Sequence, residues 1–164
     1  MLPLGIDGTR AVVVCDRSAT HFSAPRVWFI ITTFGIPDVR VLDGGLTAWT
    51  DAGQPVVTGP ADRSRSVVAV NWSLDYRRVI DEDALRDMVA AGRDTILDAR
   101  STDRFAGRAP EPWAGLRSGY MPGARCVPFT TFTRGGRFLS PTDNATALPD
   151  MEGAQTPLRP AGPA

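Results

Sequence analysis

Four short apolar runs punctuate the chain, each with the length of a strand. Residues 11–15 read Ala-Val-Val-Val-Cys, a continuous β-branched run that predicts a strand covered on both faces, as in a parallel sheet. Residues 39–42, 96–98 and 126–129 predict three more. Between the first two, Val27, Trp28, Ile30, Ile31 and Phe34 recur at helical spacing. Ser23 is placed to N-cap that helix, Pro25 suits its first turn and Gly35 its stop. Gly44-Gly45 turns the chain into a short helix over 46–51, ended by Gly53 and Pro55. Asp81 caps a further helix, with Glu82 and Asp83 favourable against its dipole, an apolar stripe of Leu85, Met88 and Val89, and Gly92 as its end. Strands alternating with helices predict an α/β fold, a parallel sheet with flanking helices.

The pattern fails in three places. Residues 58–76 combine Gly59-Pro60 with arginines and serines and predict a linker. Residues 130–139 predict a turn and a frayed element. Residues 143–164, rich in Ala, Thr, Pro and Gly, predict a disordered tail. The 164 residues suffice for one domain or two small ones. Eighteen basic and eighteen acidic residues cancel, so no basic patch points to nucleic acid. All eighteen basic residues are arginine, which excludes Schiff-base chemistry and the lysine-bearing phosphate loop. No apolar run approaches a membrane span and no signal peptide is visible at the N-terminus, so the expected location is cytoplasmic.

Candidate chemistry is sparse. Cys15, Cys126 and the single histidine, His21, are too few and too spread for a zinc site, and no metal or cofactor is expected. Period-two alternation turns Cys15 away from Asp16, and it reads as a small buried hydrophobe. Cys126 reads the same way. His21 reads as a loop residue on the surface or near an anion, with no acid beside it in sequence. No Gly-x-Ser-x-Gly elbow supports a serine triad.

Several words stand in order along the chain: Ser23-Ala-Pro-Arg-Val-Trp28, Leu42-Asp-Gly-Gly45, Leu46-Thr-Ala-Trp49, Asp98-Ala-Arg100, Arg104-Phe-Ala-Gly107, Pro110-Glu-Pro112 and Gly119-Tyr-Met-Pro-Gly-Ala124. Together they resemble the two-domain sulfurtransferases, the rhodanese and 3-mercaptopyruvate sulfurtransferase family. The resemblance implies a rhodanese-like fold built from two incomplete tandem domains. Residues 1–57 match the C-terminal half of the first, non-catalytic domain, 58–76 the connector, and 77–142 the N-terminal half of the second, catalytic domain. Asp16 matches the aspartate that the first domain carries in place of the nucleophilic cysteine.

In that family a cysteine thiolate takes sulfane sulfur from thiosulfate or mercaptopyruvate, holds it as a persulfide and passes it to a thiol or cyanide. The loop bearing that cysteine has no counterpart in these residues, so no catalytic residue is assigned and the chain is expected to be inactive alone. Arg104 matches the arginine that holds the donor's carboxylate, a task suited to a planar guanidinium, and is the one substrate-binding residue assigned. The family's second substrate arginine is replaced by Trp113, with Arg108 and Arg117 nearby, and Tyr120 stands where the family has a histidine. The implied ligand is a small anionic sulfur donor. The alternative is a non-catalytic module that binds an anion, pairs with a complementing fragment or self-associates through open sheet edges. The order of the halves also admits one permuted domain, in which the strands at 12–15 and 96–97 share a sheet.

Overall fold

The computed structural model describes residues 6, 10–18, 21–60 and 73–147. The chain divides into two compact units, Met1–Arg78 with Gly135–Phe138, and Val79–Arg134 with Leu139–Ala164.

The first unit is a strand–helix–strand motif followed by a short helix. Strand β1 (Val12–Val14) pairs in parallel with β2 (Val39–Val41), Val12 opposite Val39 and Val14 opposite Val41. Helix α1 (Ala24–Thr33) makes the crossover, and α2 (Gly45–Asp51) follows β2. The Trp28 indole N–H donates to the Val39 carbonyl at 2.8 Å, pinning α1 to the sheet. Ala24, Ile36 and Val39 are the buried apolar residues among those described. The expectation of a strand covered on both faces is not met. Val13 is 60% exposed, because in a two-stranded sheet alternate residues face away from the one covering helix. The apolar stripe of α1 is likewise partly open, with Val27 and Ile30 exposed.

The entry to α2 depends on glycine. Gly44 and Gly45 adopt φ of +79° and +58°. A Cβ on Gly45 would lie 2.5 Å from the Asp16 carbonyl oxygen, which accepts the Leu46 N–H at 2.9 Å. The close approach therefore brings α2 against the loop after β1.

The second unit repeats the strand–helix alternation. Helix α3 (Glu82–Ala91) is capped by Asp81, whose carboxylate accepts the Ala84 N–H at 2.8 Å, and it ends at Gly92 in the left-handed conformation. Strand β3 (Ile96–Asp98) pairs in parallel with β4 (Ala124–Cys126), and α4 (Thr102–Phe105) follows β3. The fourth strand thus begins two residues before the expected 126–129. The Pro122-Gly123 turn releases the chain early, Pro128 has no N–H to continue the ladder, and Phe129–Phe132 coils into a 3₁₀ turn. Strands β5 (Thr133–Arg134) and β6 (Arg137–Phe138) flank the turn at Gly135-Gly136, where a turn and a frayed element were expected. Helix α5 (Pro141–Ala147) occupies the start of the expected disordered tail. Ser140 caps it by accepting the Asp143 N–H at 3.1 Å. The rest of that tail and most of the expected linker lie outside the described residues.

The single permuted domain is ruled out, since β1–β2 and β3–β4 form separate sheets. Among the described residues no helix is long and apolar enough to cross a membrane.

Gly45→Ala is expected to destabilise the protein by about 2 kcal/mol or more, and Gly53→Ala by about 1 kcal/mol. Both glycines have positive φ, but a Cβ on Gly53 meets nothing within 4 Å. Equal losses in urea denaturation would contradict the close approach.

Candidate functional site

Each unit places polar side chains at the carboxyl end of its first strand, the usual location of sites in open parallel sheets. In the first unit the loop after β1 folds around Asp16. One carboxylate oxygen, Oδ2, accepts from the Ser18 hydroxyl (3.1 Å), the Ser23 N–H (3.1 Å), the Ser23 hydroxyl (3.2 Å) and the Ala24 N–H (2.9 Å). Asp16 thus satisfies the amino-terminal N–H groups of α1, a task the sequence assigned to Ser23, whose own side chain makes no capping bond. Burial alone would raise the Asp16 carboxyl. The Ala24 and Ser23 N–H groups and the two serine hydroxyls outweigh it and hold the group below its ordinary value of 3.8.

His21 sits beside this carboxylate and is almost fully buried, contrary to the surface loop expected. Nδ1 lies 4.0 Å from Asp16 Oδ1, and neither atom has a hydrogen-bond partner among the described residues. Nε2 lies 2.8 Å from the Gly136 carbonyl and 3.2 Å from the Gly44 N–H, with Asp43 Oδ1 at 3.7 Å. The ring stacks on Phe138 at 4.4 Å. Asp43 Oδ1 also accepts the Phe138 N–H at 2.8 Å. His21 therefore fastens the 135–138 segment to the unit. Sequence reasoning missed this, because one acid lies five residues before the histidine, another far after it, and the ring's partners come from the distant glycine turn.

In the second unit Asp98 ends β3 and turns back on Arg100. Its Oδ1 accepts the Arg100 N–H at 3.0 Å and Nε–H at 2.9 Å, while Oδ2 takes the Nη2 side. Arg100 Nη1 donates to Glu111 Oε1 at 2.7 Å and Nη2 to the Gly119 carbonyl at 2.8 Å. Arg104, the residue assigned to substrate, donates from Nη2 to Glu111 Oε2. The Ser101 hydroxyl caps the short α4 that carries Arg104, and Phe105 stacks on Tyr120 at 4.2 Å. The Arg100 guanidinium holds the Asp98 carboxyl below its ordinary value, and Arg104 followed by Arg100 does the same for Glu111.

The remaining candidates fall elsewhere. Arg108 pairs with Asp103, Trp113 is widely exposed, and no hydrogen bond or ion pair involves Arg117 among the described residues. Cys15, one residue past the end of β1, is exposed rather than buried. Cys126 is half-buried with Sγ 3.9 Å from the Arg100 carbonyl. Glu111 was overlooked as a site residue. The available signal was an acid fixed between Pro110 and Pro112, seven residues after Arg104.

Because the native Asp16 binds its proton less readily than the unfolded one, its stabilisation is complete above the unfolded value and is lost as pH falls through the native one. Asp16→Ala is expected to cost about 2–3 kcal/mol at pH 7, with the gap from the parent protein narrowing below about pH 4. A gap that does not change with pH in thermal unfolding would contradict this assignment.

No protein-family model matches the chain. It is 33% identical over 159 residues to thiosulfate/3-mercaptopyruvate sulfurtransferase 2 of Arabidopsis thaliana, covering 85% of the chain and 46% of that protein. It is 32% identical over 151 residues to 3-mercaptopyruvate sulfurtransferase of Escherichia coli (strain K12), covering 90% of the chain and 51% of that protein. Among solved structures, the Escherichia coli 3-mercaptopyruvate sulfotransferase described with the rhodanese fold aligns at a TM-score of 0.76 and 26% identity, over 93% of the chain and 54% of its own. The chain spans about half the length of the curated relatives it matches. In sequence and in its rhodanese-like α/β fold, the chain belongs to the thiosulfate/3-mercaptopyruvate sulfurtransferase family.

Proposed function

We propose that this chain contributes to sulfane-sulfur transfer, in which thiosulfate or 3-mercaptopyruvate gives sulfur to a cysteine thiolate and the persulfide passes it to a thiol or cyanide. The thiolate attacks the donor's transferable sulfur, and a new S–S bond forms as the donor's own bond breaks. In thiosulfate that is the S–S bond, releasing sulfite. In mercaptopyruvate it is the C–S bond, releasing the pyruvate enolate, which keeps the electron pair and takes a proton on carbon. The acceptor then takes the sulfur and restores the thiolate. The role assigned to these residues is to receive the anionic donor at Arg104. The supporting observation is the geometry there: a partly exposed guanidinium, held by a buried carboxylate through one nitrogen only. We read residues 1–57 as the C-terminal half of a non-catalytic domain and 77–142 as the N-terminal half of a catalytic one, working in the cytoplasm.

The nucleophile is not assigned within these 164 residues. Cys126 Sγ lies 3.9 Å from the Arg100 carbonyl, and Cys15 is exposed just after β1. Among the described residues neither thiol accepts a hydrogen bond from an N–H group, the kind of donor that stabilises a thiolate. A second reading, a non-catalytic module completed by another polypeptide, is favoured by the two-stranded parallel sheets, which leave Val13 and Leu97 exposed. Parallel sheets are ordinarily covered on both faces.

These residues alone are expected to give no thiosulfate–cyanide turnover above background, and turnover comparable to full-length relatives would contradict this reading. Arg104→Gln is expected to weaken binding of thiosulfate or pyruvate about 10- to 100-fold through the lost charge-assisted hydrogen bond. Unchanged affinity in calorimetric titration would remove Arg104 from the site.

A further inference from the structure

The first unit holds a cavity of about 500 Å³ between the C-terminal part of α1, the start of β2 and the 3₁₀ turn at Tyr76–Arg78. Trp28, Ile36, Pro37 and Val39 form its apolar wall, and Asp75 and Arg78 stand on its polar side. The wall uses its own polar groups internally. The Trp28 indole N–H donates to the Val39 carbonyl, and the Thr32 hydroxyl lies 2.9 Å from the Trp28 and Phe29 carbonyls. The polar side is fastened to the helix, since the Asp75 N–H donates to the Thr33 carbonyl at 2.8 Å.

The two cations beside Asp75 are not equivalent. Arg77 takes both carboxylate oxygens, Nε–H donating to Oδ1 at 2.8 Å and Nη2 to Oδ2 at 3.1 Å. Arg78 Nε comes only to 3.5 Å from Oδ2, and its guanidinium donates no hydrogen bond among the described residues. Asp75, Arg77 and Arg78 together leave one positive charge. That surplus falls on Arg78, whose side chain is 49% exposed and lines the cavity. A cavity of this size, with an apolar wall and one surplus charge, suits a ligand with an apolar body and one anionic head. A guanidinium with open donors pairs well with the plane of a carboxylate. We propose that this cavity is a binding site for a small monocarboxylate with an apolar body, the body lying against Trp28 and Ile36 and the head on Arg78. All of these residues belong to the first unit, and binding here needs nothing from Arg104.

The test titrates acetate, hexanoate and hexanamide into the 164-residue protein at fixed ionic strength and reads the Trp28 indole N–H resonance by NMR. Hexanoate is expected to move that resonance and to bind about tenfold or more tightly than acetate, through its longer apolar body. Hexanamide keeps the body without the charge and is expected to bind about tenfold more weakly than hexanoate. Arg78→Gln should bring hexanoate down to the hexanamide level and leave hexanamide unchanged. Hexanoate bound no more tightly than acetate would reduce the site to a surface charge contact. Hexanamide bound as tightly as hexanoate would remove Arg78 from it. Either result overturns the proposal, as does a Trp28 resonance that none of the three compounds moves. If the Gln variant does not fold, the ratio of hexanoate to hexanamide affinity in the parent protein decides.

Discussion

A carboxylate at the carboxyl end of a parallel strand ties down the loop that follows it, once in each unit. Backbone N–H groups at a helix start have no partner of their own, and a strand end in a small sheet offers few. Asp16 answers this by accepting four hydrogen bonds on one oxygen, two of them from the first N–H groups of α1. Asp98 answers it differently, accepting both the backbone N–H and the guanidinium of Arg100. The same position in the fold therefore carries an internal anion in one unit and an internal ion pair in the other.

That difference decides what each loop can do. In the first unit the carboxylate already occupies the N-terminus of α1, and the surrounding donors converge on it. The loop is closed further by His21, which brings the 135–138 segment against it. In the second unit the charges are distributed over four side chains, and one guanidinium retains unused donors at a partly exposed position. Desolvated ion pairs of this kind add little net stability, so their more informative property is geometric. Asp98 and Glu111 hold two arginines on one short loop, and of the two only Arg104 keeps a guanidinium nitrogen without a partner among the described residues.

The strands and helices were legible because their signals are local. The β-branched run at Val12–Val14, Asp81 ahead of its acidic turn, and the Gly44-Gly45 pair each fix backbone geometry within a few residues. Strand β4 was displaced because Pro128 removes a donor just where the apolar run suggested continuation. The family was legible because its words recur in order, a signal that no single word carries. The capping of α1 by Asp16 was not legible: Ser23 stands at the conventional position, and only the folded loop shows a carboxylate reaching eight residues forward to Ala24. The burial of His21 and the bridging role of Glu111 were hidden for the same reason, since their partners are set by tertiary approach. Cys15 was misread because a two-stranded sheet leaves one face open where a larger parallel sheet would cover it.

The strand-end carboxylates can be followed individually by ¹³C NMR of the side-chain carboxyl groups through an acid titration of the folded protein. Both Asp16 and Asp98 are expected to titrate below the ordinary value of 3.8, the first held down by N–H and hydroxyl donors and the second by Arg100. Either group titrating at or above that value while the protein remains folded would contradict the constraint on which both loops depend.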